Sequence, residues 1–273
     1  MIQRKIVQNS VECYAADSAW MLCAGMVDRG GVDFSLETAA TKIFASELAY
    51  RASNDALQIA GGIGYSKEYP YEQSVRDSRI NLIFEGTNEI LRALIALMGL
   101  QEPGERLGQI GEAFKHPIQS FGAIGSYLAG RAKRQVKAPK FERVHPALRE
   151  EAELVEELVQ DFGLAIEAVL MKHRKKVIER QFLQERIANA AIDIYLATAV
   201  LSRTTWEIAR AGGDLDAVAH ELDCARVFVP MAHRRARRNI RGLRRNQDDR
   251  LRAIAVRATE ANDLAPVPPI DRD

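Results

Sequence analysis

The stretch AATKIFASELAYRASNDALQIAGGIGY, residues 39–65, carries the pattern from which the fold is inferred. Its apolar residues recur every three or four positions, which places them on one face of an α-helix. Gly61 and Gly62 then end the pattern, because glycine readily adopts the backbone angles of a turn. A helix is therefore predicted from Ser35, a candidate N-cap, to about Ala60. Its apolar positions are Ala40, Ile43, Phe44, Leu48, Ala52 and Ile59.

The same helical periodicity extends over most of the chain, and alternating β-strand patterns are almost absent. The further predicted helices run from Ile2 to about Asp28, from Val75 to Ile83, from Gly86–Thr87 to near Gly99–Leu100, and over about 147–178, 180–212, 216–244 and 249–262, with Pro230 as a candidate kink site.

The predicted fold class is all-α. An antiparallel helical bundle is expected over residues 1–120, a basic linker over 121–146, and a second helical bundle as an extension over 147–265. Four aromatic side chains in apolar stripes are expected in the core: Trp20, Phe182, Tyr195 and Trp206.

The composition is that of a globular protein: among 273 residues, 47% are hydrophobic and 27% are charged. The formal net charge of +1 gives no overall field that would attract nucleic acid or membrane. The three cysteines are too few for a disulfide framework, and the five histidines show no paired ligand spacing, so no metal site is predicted. No apolar span approaches the roughly 20 residues of a transmembrane helix.

One strongly basic segment, HRRARRNIRGLRR at residues 233–245, contains seven arginines that could attract phosphates. We expect the helical register to distribute them over several faces, and no interleaved aromatics offer base stacking. A solvated or ion-paired helix is therefore favoured over a nucleic-acid site.

The stretch INLIFEGTNEILRALIAL, residues 80–97, places Glu85 between an apolar run and a glycine. The apolar run would desolvate the carboxylate and raise its pKa towards the range of a general base. Thr87 can act as N-cap of the following helix, and a helix N-terminus binds anions. The alternative is a glutamate in a surface turn, and the residue pattern leaves both interpretations open.

FEGTNEILR, preceded by QIAGGIGY and AATKIFASELAYRASNDAL, resembles the C-terminal helical domain of the acyl-CoA dehydrogenase flavoproteins. The similarity continues through FERVHPALREEAEL and KHRKKVIERQFLQERIANAAIDIYLATAVLSR, which resemble the C-terminal extension of the very-long-chain branch of that family.

The resemblance implies that Glu85 is the base that removes the α-proton of an acyl-CoA thioester, and that Gly86 leaves room for the thioester. It also implies FAD as cofactor. The residues implied in FAD contacts are Thr87, Asn88 and Glu89 at the helix start, and Gln58, Ile59, Ala60, Gly61 and Gly62, which would reach FAD bound mainly by a partner subunit.

By the same resemblance, the N-terminal helical domain and the β domain of the family are absent from this chain. The isolated chain is expected to be inactive and to form a homodimer, and a separate chain is one possible source of the missing domains. The alternative is a non-enzymatic helical assembly subunit. Residues 126–146 either contact a membrane or form a solvated loop. The expected compartment is the bacterial cytoplasm or, in a eukaryote, the mitochondrial matrix.

Overall fold

The computed structural model describes residues 1–115 and 140–260. Within these ranges the chain is helical and contains no strand, which confirms the predicted all-α class. The α-helices are α1 (Ile2–Arg29), α2 (Ser35–Ala60), α3 (Gly62–Tyr65), α4 (Tyr71–Arg79), α5 (Asn88–Lys115), α6 (Arg149–His173), α7 (Gln181–Arg210), α8 (Ala219–Arg244) and α9 (Asp248–Glu260). Short 3₁₀ segments cover Ile80–Leu82, Pro146–Leu148, Arg174–Glu179 and Asp216–Val218.

The start of α2 differs from the prediction in its capping. Ser35 is the first helical residue, Phe34 occupies the N-cap position, and no side chain caps the helix. Instead, the Asp33 carboxylate accepts hydrogen bonds from the Ser35 backbone N–H at 2.9 Å and from its hydroxyl at 2.6 Å. These bonds lower the pKa of Asp33. The predicted end of α2 at Ala60 is confirmed.

The prediction that α5 ends near Gly99–Leu100 is wrong, because the helix continues through Pro103 to Lys115. Ala96 and Leu100 are buried in a core cluster with Leu170 of α6 and residues of α7 and α8. Packing of this apolar face therefore outweighs the low helix propensity of glycine and proline.

Two other predicted boundaries shift. The helix predicted from Val75 begins earlier, at Tyr71, and gives way to 3₁₀ geometry after Arg79. The helix predicted over 147–178 ends at His173, because Arg174 adopts a positive φ of 49° that interrupts α-helical geometry.

One hydrophobic cluster connects the N-terminal helices α1, α2 and α5 with α6, α7 and α8. At its centre, Phe228 of α8 is fully buried and meets Phe44 of α2 edge to face, with ring centroids 6.1 Å apart. Ala15 and Ala19 of α1 are also fully buried, so the backbones of neighbouring helices approach closely. The two predicted bundles thus both contribute to this cluster.

The prediction of core positions for Trp20, Phe182 and Trp206 is wrong: these side chains are 61%, 37% and 57% exposed. The buried positions of α1 nearest to Trp20 are small, namely Ala15, Ser18, Ala19 and Cys23. Trp20 follows Ala19 by one residue, which turns it about 100° away from the core. Trp206 instead lies at the surface under the guanidinium of Arg210. Tyr195 is half-buried and donates a hydrogen bond to the Ala19 carbonyl at 2.9 Å.

Buried ion pairs connect four helices near this core. Arg235 of α8 donates two hydrogen bonds to Asp193 of α7, at 2.9 and 2.7 Å, and also lies near Glu12 of α1. Glu12 in turn pairs with Arg51 of α2. Burial raises the pKa of Asp193 to about 6, although the charge of Arg235 and its hydrogen bonds act in the opposite direction.

We expect Asp193 to make the unfolding free energy fall as pH rises from about 4 to about 6. Its folded-state pKa of about 6 exceeds the ordinary 3.8, so the folded chain holds this proton more tightly than the unfolded chain. The stabilisation is complete below the unfolded pKa and is lost through the folded pKa; its size is roughly 2–3 kcal/mol. Urea titrations across this range should show a more positive slope of stability against pH in Asp193→Asn; equal slopes would contradict the assignment.

Replacing the central phenylalanine tests the shared cluster. Phe228→Ala should lower the unfolding free energy by about 3–5 kcal/mol, because a fully buried ring is lost from a site bounded by several helices. The matched control Phe182→Ala removes a ring that is 37% exposed and should cost no more than about 1 kcal/mol. Both are measured by chemical denaturation followed by circular dichroism. Equal losses for the two variants would contradict the central position of Phe228.

Candidate functional site

The segment before α5 holds the candidate base in an uncommon backbone conformation. Glu85 has φ 54° and Gly86 has φ 90°, so two consecutive residues lie in the left-handed region. A non-glycine residue there costs about 1–3 kcal/mol. A Cβ on Gly86 would also lie 3.3 Å from Cδ2 of Leu91. The tight turn therefore needs glycine at 86 and tolerates a strained glutamate at 85.

Asn88 and Lys42 fix this turn to α2. The Lys42 ammonium donates hydrogen bonds of 2.8 Å to the Gly86 carbonyl and 2.8 Å to Oδ1 of Asn88. Nδ2 of Asn88 donates to Oγ of Ser46 at 3.0 Å and to Oε1 of Glu47 at 3.3 Å. Partial burial lowers the pKa of Lys42, while the charges of Glu89 and Glu47 favour its protonated form. We call Lys42, Ser46, Glu47 and Asn88 the α2–α5 clasp.

Arg92 extends the clasp to the C-terminal extension. Its guanidinium pairs with Glu47 at 2.8 Å and donates to Oδ1 of Asn189 in α7 at 2.7 Å. The sequence interpretation missed Lys42, Glu47 and Arg92. The available signal was the polar pair Lys42 and Ser46, four residues apart beside the apolar stripe of α2 and hence on one helix face.

The start of α5 presents unpaired backbone donors. Within the described residues, the N–H groups of residues 85–89 have no hydrogen-bond acceptor, and the first bonded amide is that of Ile90, which donates to Oγ1 of Thr87 at 3.3 Å. The predicted capping role of Thr87 is therefore confirmed. A helix of 28 residues also places the positive end of its dipole here. This end of α5 can bind an oxyanion or polarise a carbonyl.

Glu85 is exposed, so the predicted desolvation of its carboxylate by the preceding apolar run is wrong for this chain by itself. The apolar neighbours Ile80, Ile83 and Phe84 are themselves about half exposed, at 48%, 47% and 49%, and Ile90 is 64% exposed. The carboxylate thus lies within an apolar surface that no described residue covers. Such a surface usually marks a binding site.

The structure limits which atoms of Asn88 could contact FAD. Its side chain is 2% exposed and its polar atoms are bonded within the clasp. Its backbone N–H remains unpaired, as do those of Thr87 and Glu89. An FAD contact by Asn88 is therefore retained as a proposal for the backbone alone.

The second predicted FAD segment, Gln58 to Gly62, lies at the C-terminal end of α2. It begins twelve residues beyond Ser46 of the clasp, which corresponds to about 18 Å along the helix axis. Gln58, Ile59, Gly61 and Gly62 are exposed. The fold therefore keeps the two predicted FAD segments apart within one chain.

The two glycines of this segment have different structural requirements. Gly61 has φ 64°, which disfavours any other residue. Gly62 has no positive φ, and a Cβ added to it would meet no atom within 4 Å. The fold therefore explains Gly61 and gives no reason for Gly62, which leaves a surface where a ligand can approach the backbone closely.

Comparison with protein families accounts for both halves of the fold. The model described as "Acyl-CoA dehydrogenase, C-terminal domain" matches residues 1–99. The model described as "ACAD9/ACADV, C-terminal domain" matches residues 146–264. The chain belongs to the acyl-CoA dehydrogenase family.

Similarity to individual proteins defines the branch. The chain is 39% identical over 214 residues to the very long-chain specific acyl-CoA dehydrogenase of rat mitochondria, which corresponds to 75% of this chain and 32% of the relative. The human protein of that name gives 39% over 210 residues, with the same two shares. The chain therefore resembles the C-terminal portion of very-long-chain acyl-CoA dehydrogenases and spans about a third of the length of these relatives.

A solved structure shows the same fold. The crystal structure of an acyl-CoA dehydrogenase complexed with FAD from Bacillus anthracis matches 98% of this chain and 46% of that chain, with a TM-score of 0.68 and 21% identity.

The predicted membrane-contacting segment, residues 126–146, lies outside the described residues except for its last seven positions. Among the described helices, none combines the length and the apolar character needed to cross a bilayer.

Gly86→Ala tests the backbone requirement of the turn. We expect it to lower the unfolding free energy by about 1–3 kcal/mol, because alanine disfavours positive φ. The control Gly25→Ala lies within α1 at a position where a Cβ meets no atom within 4 Å, and should raise stability by about 0.5–1 kcal/mol. Urea denaturation measures both. A Gly86→Ala variant as stable as the parent would contradict the strained turn.

Proposed function

We propose that this chain supplies the catalytic base and part of the FAD site of an enzyme that converts long-chain acyl-CoA thioesters to trans-2-enoyl-CoA. The observation that carries the proposal is Glu85 in a left-handed turn at the start of α5, beside unpaired amides and within an exposed apolar surface. Similarity to very long-chain specific acyl-CoA dehydrogenases supports the substrate class, and the FAD complex of the structural neighbour supports the cofactor.

The role proposed for Glu85 is removal of the proton on the carbon next to the thioester. Its carboxylate would accept that proton, and bound FAD would accept the hydrogen of the adjacent carbon as hydride. Closure of the apolar surface around Ile83 and Phe84 by substrate or by another domain would desolvate Glu85. Desolvation raises the pKa of a carboxyl group and makes it a stronger base.

The unpaired amides give the thioester oxygen a place to bind. Proton loss next to a carbonyl moves negative charge onto its oxygen, and preorganised N–H donors stabilise that charge. The N–H of Glu85 is proposed to donate to the thioester carbonyl, and the amides of Thr87, Asn88 and Glu89 to FAD. Gly86 would leave the approach open.

The segment Gln58 to Gly62 is proposed to contact the FAD of a second copy of the chain. Its separation of about 18 Å from the clasp along α2 favours contact with a different cofactor molecule from the one at Glu85. The unexplained glycine at 62 supports close approach of a ligand. A homodimer would then complete two equivalent sites.

The chain spans 32% of the rat relative, so the remaining walls of the FAD and acyl sites are proposed to come from another polypeptide or segment. The mitochondrial names of the relatives favour the mitochondrial matrix if the source is a eukaryote. A non-enzymatic assembly subunit is the second candidate. The exposed Glu85 and its uncovered apolar surface favour it, since a docking surface has the same appearance.

A chimera tests the proposal directly. The chain replaces the corresponding C-terminal part of the rat enzyme, and flavin content and acyl-CoA dehydrogenation are measured. We expect bound FAD and turnover in the chimera, and a loss of about 10²–10⁴-fold in kcat for Glu85→Gln with flavin content unchanged. The chain alone with FAD should show no turnover.

The matched control is Asp77→Asn, which neutralises an exposed carboxylate on α4 outside the proposed site. It should leave kcat within a few-fold of the parent chimera. Full activity of Glu85→Gln, or a flavin-loaded chimera without turnover, would favour the assembly subunit. Turnover by the chain alone would contradict the need for further domains.

A further inference from the structure

A groove of about 1070 Å³ lies among α1, α2, α5, α7 and α8, away from Glu85 and from Gln58 to Gly62. None of the proposed catalytic or FAD residues lines it. Its lining includes nine arginines and four carboxylates. The volume is close to the upper end of small-molecule sites, about 300–1,000 Å³. We call it the arginine groove.

Five of the nine arginines are held by carboxylates of the chain. These pairs fix their side chains and neutralise most of their charge. The pairs are Arg51–Glu12, Arg92–Glu47, Arg186–Asp248, Arg235–Asp193 and Arg237–Glu157. Three of the four lining carboxylates are thereby already used, and only Glu185 stands outside these pairs.

The other four lining arginines form one stripe along α8. Arg234, Arg238 and Arg241 follow at intervals of four and three residues, which places them on a single helix face, and Arg245 directly follows the end of the helix. In the described part of the chain, none has a carboxylate within 4.0 Å, and all four are exposed. The prediction that the arginines of this segment spread over several faces is wrong for these four. The helical part of the stripe, from Arg234 to Arg241, is about 10 Å long.

Two of the paired arginines lie close together in the interior of the groove. Arg51 and Arg235 approach each other over their shared partner Glu12. Burial, and then the positive charge of Arg235, lower the pKa of Arg51.

We propose that the arginine groove binds a linear chain of phosphates carried by a small molecule, with the stripe on α8 supplying the phosphate ligands. A guanidinium offers a planar fork that matches two phosphate oxygens, and successive arginines along a helix face can contact successive phosphates. Because the groove is recessed between helices, a flat bilayer cannot reach its floor. Phe44 is the only phenylalanine, tyrosine or tryptophan among its described lining residues, which disfavours single-stranded nucleic acid, since that class uses aromatic stacking.

Calorimetric titration of the full chain with tripolyphosphate tests the assignment. We expect saturable binding of one molecule per chain that weakens as salt is raised. The double variant Arg238→Gln/Arg241→Gln should bind at least about ten-fold more weakly. The matched control Arg244→Gln removes an exposed arginine from the same helix outside the groove lining and should change affinity by less than about two-fold.

Parallel titration with ATP distinguishes a nucleotide from free polyphosphate: tighter binding of ATP identifies contacts to the nucleoside, and equal binding identifies the phosphates alone. The proposal is overturned if tripolyphosphate shows no saturable binding, or if Arg244→Gln weakens it as much as the double variant. It is also overturned if only a single-stranded oligonucleotide or anionic vesicles bind through the stripe. Circular dichroism of each variant confirms an unchanged fold.

Discussion

Burial of the Asn88 side chain against α2 is the constraint on which the arrangement of the candidate site depends. An amide that is 2% exposed must find partners for its oxygen and its nitrogen, because an unpaired buried polar group costs about 1–3 kcal/mol. Lys42 supplies one partner, and Ser46 and Glu47 supply the others. The first residue of α5 is thereby fixed against the middle of α2. Through Arg92 and Asn189, the same contacts reach α7 of the extension.

This anchor explains why the strained turn lies where it does. Lys42 holds the Gly86 carbonyl as well as Asn88, so the chain must enter α5 along a fixed path. A glycine at position 85 would adopt φ 54° without strain, whereas glutamate costs free energy there. The side chain of Glu85 therefore does not stabilise the backbone conformation at this position. Strain of this kind, where it is observed, is a reason to assign a function to the residue.

The parts of the fold that were predictable from the sequence are those determined by local patterns. The periodic apolar residues and the glycines that follow them predict the bounds of α1 and α2 closely. The residue type of Thr87 predicts its capping role. The continuation of α5 to Lys115 was not predictable, because it depends on packing of Leu100 against α6. The clasp was also missed, since Lys42 and Asn88 are 46 residues apart and their contact exists only in three dimensions.

The distribution of charge is another property that the sequence alone did not predict. A formal net charge of +1 suggests a chain without strong electrostatic preference, and the arginines of α8 look interchangeable in sequence. In the fold they divide into two groups, because Asp193 and Glu157 lie within reach of Arg235 and Arg237. Three of the four carboxylates that line the groove are paired with other arginines, and only Glu185 stands outside those pairs. Within the described part of the chain, one lining carboxylate therefore faces four arginines of the stripe, which leaves positive charge for mobile ions or for a ligand whose own charges follow the spacing of the helix.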